Sequence, residues 1–225
     1  GPAASGPGRE ATTLNLALAC SPENDLFRLL TSSGCTCARF DTARQAIDYA
    51  KPGSAVLILA DGYPDSLTKM DAALYDVAQH RKLRLYVEYP DHIPGIEVGA
   101  ARTAIWERAV VASDAFGDRL PKLRILSISG CRYLSTSVAD PMLVIARVAG
   151  FDTAVYGIPA TASPILFKLP ERDVLIATTK LSGFVTGRYA PTKEWGLLWQ
   201  SIIAMLDSSA DISLKWTPRV RPAYS

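Results

Sequence analysis

The sequence contains few of the residues on which metal sites and nucleophilic catalysis usually depend. Among 225 residues there are only two histidines, His80 and His92, and four cysteines. Cys35 and Cys37 form a C-x-C pair, which differs from the C-x-x-C spacing of zinc and redox sites. Because zinc in proteins is held mainly by His and Cys, we predict no metal site, and we expect no cofactor.

The four cysteines allow two interpretations. Cys20 could form a disulfide with Cys35 or Cys37 in an oxidising compartment. Alternatively, these cysteines and Cys131 are buried as small apolar side chains, as free cysteines often are. The composition favours burial and leaves the disulfide open.

Long apolar runs and blocks of one charge are also missing. No apolar stretch approaches the roughly 18 residues that indicate a membrane-spanning helix. The 24 basic and 22 acidic residues are scattered and leave a net charge of +2. Nucleic-acid-binding proteins usually cluster their basic residues on one face. We therefore expect no membrane span and no nucleic-acid partner.

Short apolar segments alternate with helical patterns through the first half of the chain. Residues 56–60 are apolar without alternation, which is typical of a strand buried on both faces. Turn residues follow at 61–65, and a helical pattern then covers about 66–79. Further strands are predicted at 14–19, 35–40 and 83–88. These repeated units predict a parallel sheet with helices on both faces.

Capping residues and turns predict the element boundaries and the domain limits. Ser21, with Pro22 behind it, predicts the start of the first helix, and Asp41 and Thr192 are the expected caps of two others. Later strands are predicted at 109–113, 123–129, 154–156 and, as a hairpin, 163–169 with 174–178, and the last helix at 192–207. We predict three parts: a lead-in with a tag remnant at 1–13, one α/β domain at 14–207, and an extended linker or tail at 208–225.

Four stretches of the sequence together resemble a known family. They are VLILADGYPD, LRLYVEYP, WERAVVASD and VLIATTKLSGFVTGRYAPTKEW, which begin at residues 56, 83, 106 and 174. Residues 14–207 are similar to a class I glutamine-amidotransferase-like domain of the ThuA-like branch. The resemblance implies a flavodoxin-like three-layer sandwich, with a mainly parallel central sheet and a C-terminal β-hairpin plus helix.

The resemblance also implies a setting and partners. Domains of this kind are attached to glycoside hydrolases in bacteria, notably Bacteroidetes. We therefore expect a non-catalytic accessory domain that contacts a glycoside hydrolase catalytic domain, a second copy of itself, or a carbohydrate. A periplasmic or extracellular location is expected on the same ground.

The residues that would make such a domain an amidotransferase are missing. The family carries G-x-C-x-G after the strand at 83–88, but this sequence continues with Val87, Glu88, Tyr89 and Pro90. The late His-x-Glu partner is missing too, since both histidines precede residue 93. A nucleophile needs an adjacent base, so we exclude glutamine hydrolysis by this triad.

Polar and aromatic side chains cluster where the predicted parallel strands end. Ligands of open α/β sheets bind outside the carboxyl ends of the strands. Four carboxylates follow two of those strands: Asp61, Asp65, Glu88 and Asp91. The predicted ligand-binding set is Asp61, Tyr63, Glu88, Tyr89, Lys180, Arg188 and Tyr189. Carboxylates could bind sugar hydroxyls, Arg188 a uronic acid, and the aromatic rings a sugar face.

Other interpretations of the same residues stay open. The carboxylates could only turn the chain and cap helices, and Lys180 and Arg188 could pair with Asp61 or Glu88. Asp61 and Glu88 could instead serve a self-standing hydrolase or isomerase, since a carboxylate pair can cleave a glycosidic bond. A plain carbohydrate-binding module would present Tyr63, Tyr89, Tyr189 and Trp195 as a flat aromatic platform. Cys131, in ISGCRYL, is either a nucleophile on a sharp turn or a structural thiol.

Overall fold

The computed structural model describes residues 11–218, and these form one large sheet with helices on both faces. The strands are β1 Thr12–Ala19, β2 Cys35–Phe40, β3 Ala55–Ile58, β4 Arg84–Glu88, β5 Ala101–Thr103, β6 Arg108–Val111, β7 Ile125–Ile128, β8 Arg132–Leu134, β9 Leu143–Ala146, β10 Ser163–Lys168, β11 Val174–Ala177 and β12 Tyr189–Ala190. The helices are α1 Asp25–Ser32, α2 Ala43–Tyr49, α3 Ala72–His80 and α4 Thr192–Leu206, with a short 3-10 helix at Leu181–Gly183.

The large sheet has a parallel half and an antiparallel half. Its order is β12-β7-β6-β9-β10-β11-β4-β3-β1-β2. The five strands from β2 to β11 are parallel, in the arrangement of flavodoxin-like folds. From β11 outward every pairing is antiparallel. The predicted flavodoxin-like sandwich is confirmed, together with its hairpin β10–β11 and its last helix.

The antiparallel half follows from its connections. Parallel neighbours need a long crossover, usually a helix, whereas antiparallel strands can be joined by shorter loops. Between α3 and α4 the described chain contains no α-helix. The strands β6 to β10 therefore run back and forth. The strand β5, which precedes β6, pairs with β8 in a separate two-stranded sheet.

Two helices pack on each face of the parallel half. Leu26 and Leu30 of α1 share one core with Trp199 of α4, whereas Ile47 of α2 and Tyr75 of α3 belong to the core on the opposite face. Successive side chains of a strand point to opposite faces, so each parallel strand contributes to both cores. The result is the three-layer arrangement that positions the strand ends.

Several boundaries differ from the sequence predictions. Asn24, and not Ser21, caps α1, because its Oδ1 accepts from the N–H groups of Leu26 and Phe27. Thr42 caps α2 in place of Asp41, and Pro191 precedes α4, so that Thr192 is its first residue. Residues 154–156, predicted as a strand, belong to no strand of the described chain.

The third helix begins later than predicted. It starts at Ala72 behind Asp71, whereas the sequence pattern placed its start near residue 66. The N–H of Thr68 donates to the carbonyl of Tyr89 at 2.8 Å. The N–H of Met70 donates to Oδ1 of Asp91 at 2.9 Å. This segment is therefore bound to the end of β4 and cannot also make helical hydrogen bonds.

The predicted flanking parts lie partly outside the described residues. Most of the lead-in, residues 1–10, and the end of the tail, 219–225, are among the residues not described. Residues 208–218 form no helix or strand. Leu214 is nevertheless buried, and the ring of Trp216 lies 5.0 Å from that of Phe184.

Candidate functional site at the strand ends

Three neighbouring parallel strands bring predicted site residues to one edge of the sheet. The strands β11, β4 and β3 are adjacent and parallel. Lys180, Glu88 and Asp61 therefore lie at or just beyond their carboxyl ends. This edge is where α/β sheets generally bind ligands. The sheet topology thus brings the predicted residues to a common edge, but it does not give them a common environment.

Glu88 is completely buried and fully hydrogen-bonded. Its Oε1 accepts from the hydroxyl of Ser182 at 2.7 Å and from the N–H of Ala60 at 3.2 Å. Its Oε2 accepts from the hydroxyl of Tyr86 at 2.7 Å and from the N–H of Ser182 at 2.8 Å. The Nδ2 of Asn24 donates in turn to the Ser182 hydroxyl at 3.1 Å. These contacts occupy both carboxylate oxygens.

The environment of Glu88 pushes its pKa in two directions. Burial raises the pKa above its usual value, because the charged form loses water. The hydrogen bonds from Ser182, Tyr86 and the backbone of Ala60 oppose that rise, and the charge of Lys180 adds to the opposition. Burial has the larger effect, so the pKa of Glu88 remains raised. Lys180 and Arg188 form no ion pair with Glu88 or Asp61 in the described chain.

Asp61 lies in a different environment, exposed to solvent. It lines an open cleft of about 370 Å³ between the ends of β1 and β3, together with Asp41, Arg44 and Lys69. The cleft adjoins α2 and α3, whereas Glu88 points to the α1 and α4 side, as its neighbour Tyr86 does two residues earlier. Asp61 and Glu88 therefore do not converge on one opening.

The other carboxylates of the set have separate positions. Asp91 accepts the N–H of Met70. It therefore has a structural role, as expected if these carboxylates only turn the chain. Asp65 is exposed in the turn before it. A larger groove of about 720 Å³ lies beside the turn between β10 and β11 and contains none of the predicted site residues.

Tyr89 lies on the sharp turn directly after β4. Its backbone has a φ of +51°, a conformation that bulky residues rarely adopt. Nucleophiles of α/β enzymes often lie on such a sharp turn after a strand. Here the Tyr89 side chain is buried, and its hydroxyl donates to the carbonyl of Pro64 at 3.2 Å. The side chain packs below the site and presents no nucleophile.

Tyr63 and the small β5–β8 sheet cover the strand ends from above. The N–H of Arg132 donates to the Tyr63 hydroxyl at 2.7 Å. The N–H of Leu134 donates to the carbonyl of Thr178, just past β11. The Tyr63 ring packs edge-on against Tyr89, with centroids 5.1 Å apart. Tyr63 and the β5–β8 sheet therefore cover part of the edge at which the sequence predicts an open ligand site.

Cys131 lies beneath that cover and is a poor candidate for catalysis. Its side chain is buried, and burial raises the pKa of its thiol to about 12. A catalytic cysteine needs a lowered pKa and a neighbouring base. The two histidines lie elsewhere, His80 at the end of α3 and His92 against Tyr75. The thiol is structural in this arrangement.

All four cysteines are free, so the disulfide between Cys20 and Cys35 or Cys37 is not formed. Cys37 is half-buried and the other three are buried. The interpretation of the cysteines as small apolar side chains agrees with this placement.

The loop after β11 is partly exposed and partly integrated into the core. Arg188 is exposed and Lys180 is half-buried. The hydroxyl of Tyr189 donates to the carbonyl of Lys180, and the Tyr189 ring packs on Trp195 with centroids 4.7 Å apart. Trp195 is completely buried, so the aromatic platform proposed from Tyr63, Tyr89, Tyr189 and Trp195 is not formed.

Two groups of residues at this edge were missed in the sequence. Asn24, Ser182 and Tyr86 complete the buried network around Glu88, although Ser182 lies 94 residues away. No local pattern reveals such a pair. The second feature that was missed is a single residue, Trp106, which has 72 % of its surface exposed. Its position between Ile105 and Glu107, outside any periodic pattern, was the available signal.

Within residues 11–218, no three His, Cys, Asp or Glu side chains are grouped so that they could hold a metal ion. The longest helix of the same region, α4, has 15 residues, and no described helix has the length and apolar character to cross a membrane.

Comparison with known proteins adds little to this geometry. No family model and no curated protein matches the chain. One solved structure that resembles it is titled "Crystal structure of Agd3 a novel carbohydrate deacetylase", with a TM-score of 0.46 and 12% sequence identity. The likeness covers 76% of this chain and 30% of that one, so this chain spans less than a third of the other protein. A likeness at this level carries no conclusion about activity.

Proposed function

We propose that this chain is a non-catalytic accessory domain of a carbohydrate-active enzyme, and that its strand-end edge contacts a glycan. The resemblance to ThuA-like, class I amidotransferase-like domains supports the setting. The observation that carries the non-catalytic part is the environment of Glu88. A carboxylate that is buried and accepts four hydrogen bonds has no free oxygen to offer a substrate.

The separation of the carboxylates supports the same conclusion. Most glycosidases cleave their bond with two carboxyl groups that flank it within one site. Asp61 opens into the cleft beside α2, and Glu88 is enclosed on the α1 side of the sheet. Tyr89 occupies the turn that would carry an amidotransferase nucleophile. Within residues 11–218, this edge therefore presents neither Asp61 and Glu88 to one sugar nor a nucleophile on the turn after β4.

The exposed residues of the edge supply the contacts on this proposal. Asp61 in its cleft can accept hydrogen bonds from sugar hydroxyls, and Arg188 can donate to them. Tyr63 is part of the cover over the strand ends, Tyr89 and Tyr189 pack beneath them, and Lys180 contributes charge. The partner that would perform the chemistry is a glycoside hydrolase catalytic domain, with a second copy of the chain as the alternative neighbour.

The test is a glycan array run beside hydrolysis assays on the same plant and host polysaccharides. The chain, its Asp61→Asn variant and a matched Asp118→Asn control, from the loop between β6 and β7, are compared. We expect binding without turnover, weakened by Asp61→Asn and unchanged by the control. Turnover that Asp61→Asn abolishes would overturn the proposal and make this domain a hydrolase or isomerase.

A further inference from the structure

The strand-end edge carries an uneven charge. Antiparallel neighbours reverse direction, so the residues that precede β6 and β12 meet those that follow β7, β9 and β11 at the same edge as Glu88. Five cationic residues lie at or over this edge, and we call them the basic edge. Arg147, Lys180 and Arg188 follow or precede its strands, and Arg102 and Arg132 belong to the β5–β8 sheet that covers it. By contrast, Asp41, Asp61, Asp65 and Asp91 lie over the parallel half.

The cations of the basic edge are only partly compensated by nearby acidic residues. None of them forms an ion pair with another described residue. Three acidic residues lie close to them. Asp25 accepts the N–H groups of Val185 and Thr186 through its Oδ2, and Glu88 is completely buried and interacts with the charge of Lys180. The third is Glu107, which precedes β6. Its Oε2 already accepts the N–H groups of Ile105 and Trp106, at 2.8 and 3.1 Å. Five cations against these three carboxylates leave the edge with an excess of positive charge, and two of the three carboxylates are already held by hydrogen bonds from the backbone of the edge.

Trp106 adds an exposed ring to the same edge. It lies on the turn that leads into β6, and 72 % of its surface is exposed. Trp195 and Trp199 are completely buried in the same protein. The N–H of Trp106 donates to Glu107, and Arg108 holds the start of β6 by donating to the carbonyls of Val148 and Gly150. An exposed Trp on such a fixed turn is a ready surface for a ligand.

We propose that the basic edge and Trp106 bind a polysaccharide that carries carboxylate groups, such as a polyuronate. A uronate unit has a charged carboxylate and an apolar C–H face. Guanidinium groups bind carboxylates in a two-pronged geometry, and four of the five cations are arginines. The ring of Trp106 can pack against the C–H face. The inference rests on the proposed function and names the class of glycan.

The test is binding by isothermal titration to polygalacturonate and to the same polymer after reduction of its carboxyl groups. We expect the reduced polymer to bind at least about tenfold more weakly, which corresponds to about 1.4 kcal/mol. Binding to polygalacturonate should also weaken with added salt, because exposed charges are screened. Equal binding of the two polymers would overturn the proposal.

Variants locate the site. Arg132→Glu with Arg188→Glu should weaken binding to polygalacturonate at least about tenfold. The matched charge control is Arg119→Glu with Lys122→Glu, in the loop between β6 and β7 at the other end of the strands, and it should leave binding within about twofold. Trp106→Ala should also weaken binding, whereas Tyr49→Ala, an exposed aromatic on α2, should not. A charge control that weakens binding as much as the edge variants would refute the location.

Other polyanions test the choice of ligand. A single-stranded oligodeoxynucleotide and phosphatidylserine vesicles are titrated under the same conditions. Binding of either as tight as that of polygalacturonate would replace the proposal with a nucleic-acid or membrane surface. Binding to neutral glycans alone, unaffected by the edge variants, would overturn this inference and leave the proposed function standing. If no glycan binds at all, both fail.

Discussion

Ser182 donates two hydrogen bonds to Glu88, one from its N–H to Oε2 at 2.8 Å and one from its hydroxyl to Oε1 at 2.7 Å. Ser182 belongs to the 3-10 helix after β11, and Glu88 is the last residue of β4. Through Asn24, which donates to the Ser182 hydroxyl, the N-terminus of α1 joins the same network. One carboxylate therefore holds three segments together, and its role is to stabilise the strand ends.

Replacing Glu88 by Gln should lower stability. The carboxamide NH₂ group would face hydrogen-bond donors that now point at an oxygen, and an unmatched buried polar pair costs about 1–3 kcal/mol. For a chain of this size each kcal/mol lowers Tm by about 2–4 °C. Thermal unfolding followed by circular dichroism measures the change.

The matched control for that variant is Asp65→Asn, since Asp65 is an exposed carboxylate at the same edge. It should change the free energy of unfolding by less than about 0.5 kcal/mol. A Glu88→Gln variant as stable as the wild type would show that the buried network contributes nothing. A double-mutant cycle with Ser182→Ala then measures how strongly the two side chains are coupled.

Asn24→Ala should destabilise the protein much more than Ser21→Ala. Asn24 caps α1 through its Oδ1 and also donates to Ser182, so its removal breaks both contacts. Loss of a cap alone costs about 0.5–2 kcal/mol. The hydroxyl of Ser21, by contrast, accepts only the N–H of Glu23, in an exposed turn. Urea unfolding of the two variants compares them, and equal losses would contradict the assignment of the cap.

Asp207 should make the free energy of unfolding depend on pH in the acidic range. Burial alone would raise its pKa, but the hydrogen bonds from Ser209 and from the N–H of Asn15 hold the pKa below its usual value. A carboxylate of this kind stabilises the fold above its unfolded pKa, about 3.9, and the gain is lost as pH falls through the folded pKa. Asp207→Asn should therefore be less stable than the wild type at pH 7.

The difference between Asp207→Asn and the wild type should shrink as the pH falls below about 4. Denaturant unfolding at several pH values between 7 and 2.5 follows it. A difference that stays constant over that range would show that the ionised form of Asp207 is not responsible.

The cysteines should resist alkylation in the native protein. Burial raises the pKa of Cys20 and Cys131 to about 12 and that of Cys37 to about 11. Thiolates are the reactive form, so iodoacetamide at pH 8 should label them slowly until denaturant is added. Intact-mass analysis should then show four modified thiols. Rapid native labelling of Cys131 would revive its candidacy as a nucleophile.

The parallel half of the fold was predictable because its signals are local. Short apolar strands separated by helices indicate a parallel sheet whatever the distant contacts are. The start of α3 was not predictable from the sequence. The segment before it is held at the end of β4 by the N–H groups of Thr68 and Met70, and this contact joins parts of the chain that are not local. Likewise, the sequence does not distinguish Asn24 from Ser21 as the cap of α1, since both residue types are good caps and only the fold selects between them.

The candidate site was predictable in position but not in chemistry. The rule that ligands bind at strand ends placed Asp61 and Glu88 at one edge. It could not tell that β3 ends at Ile58, so that Asp61 lies in the loop beyond it and opens into the cleft beside α2, whereas Glu88 stays within β4 and faces the α1 side. Nor could it show that Ser182 would close over Glu88, because that contact joins residues far apart in sequence. The exposure of Trp106 likewise depends on how the turn before β6 packs.

The central claim is that the strand-end carboxylates bind and stabilise but do not react. The most direct test is release of reducing ends from polysaccharides that the chain binds, compared between the wild type and an Asp61→Asn, Glu88→Gln double variant that is still folded. The account predicts that neither protein releases reducing ends above the protein-free control. Release by the wild type that the double variant lacks would contradict it.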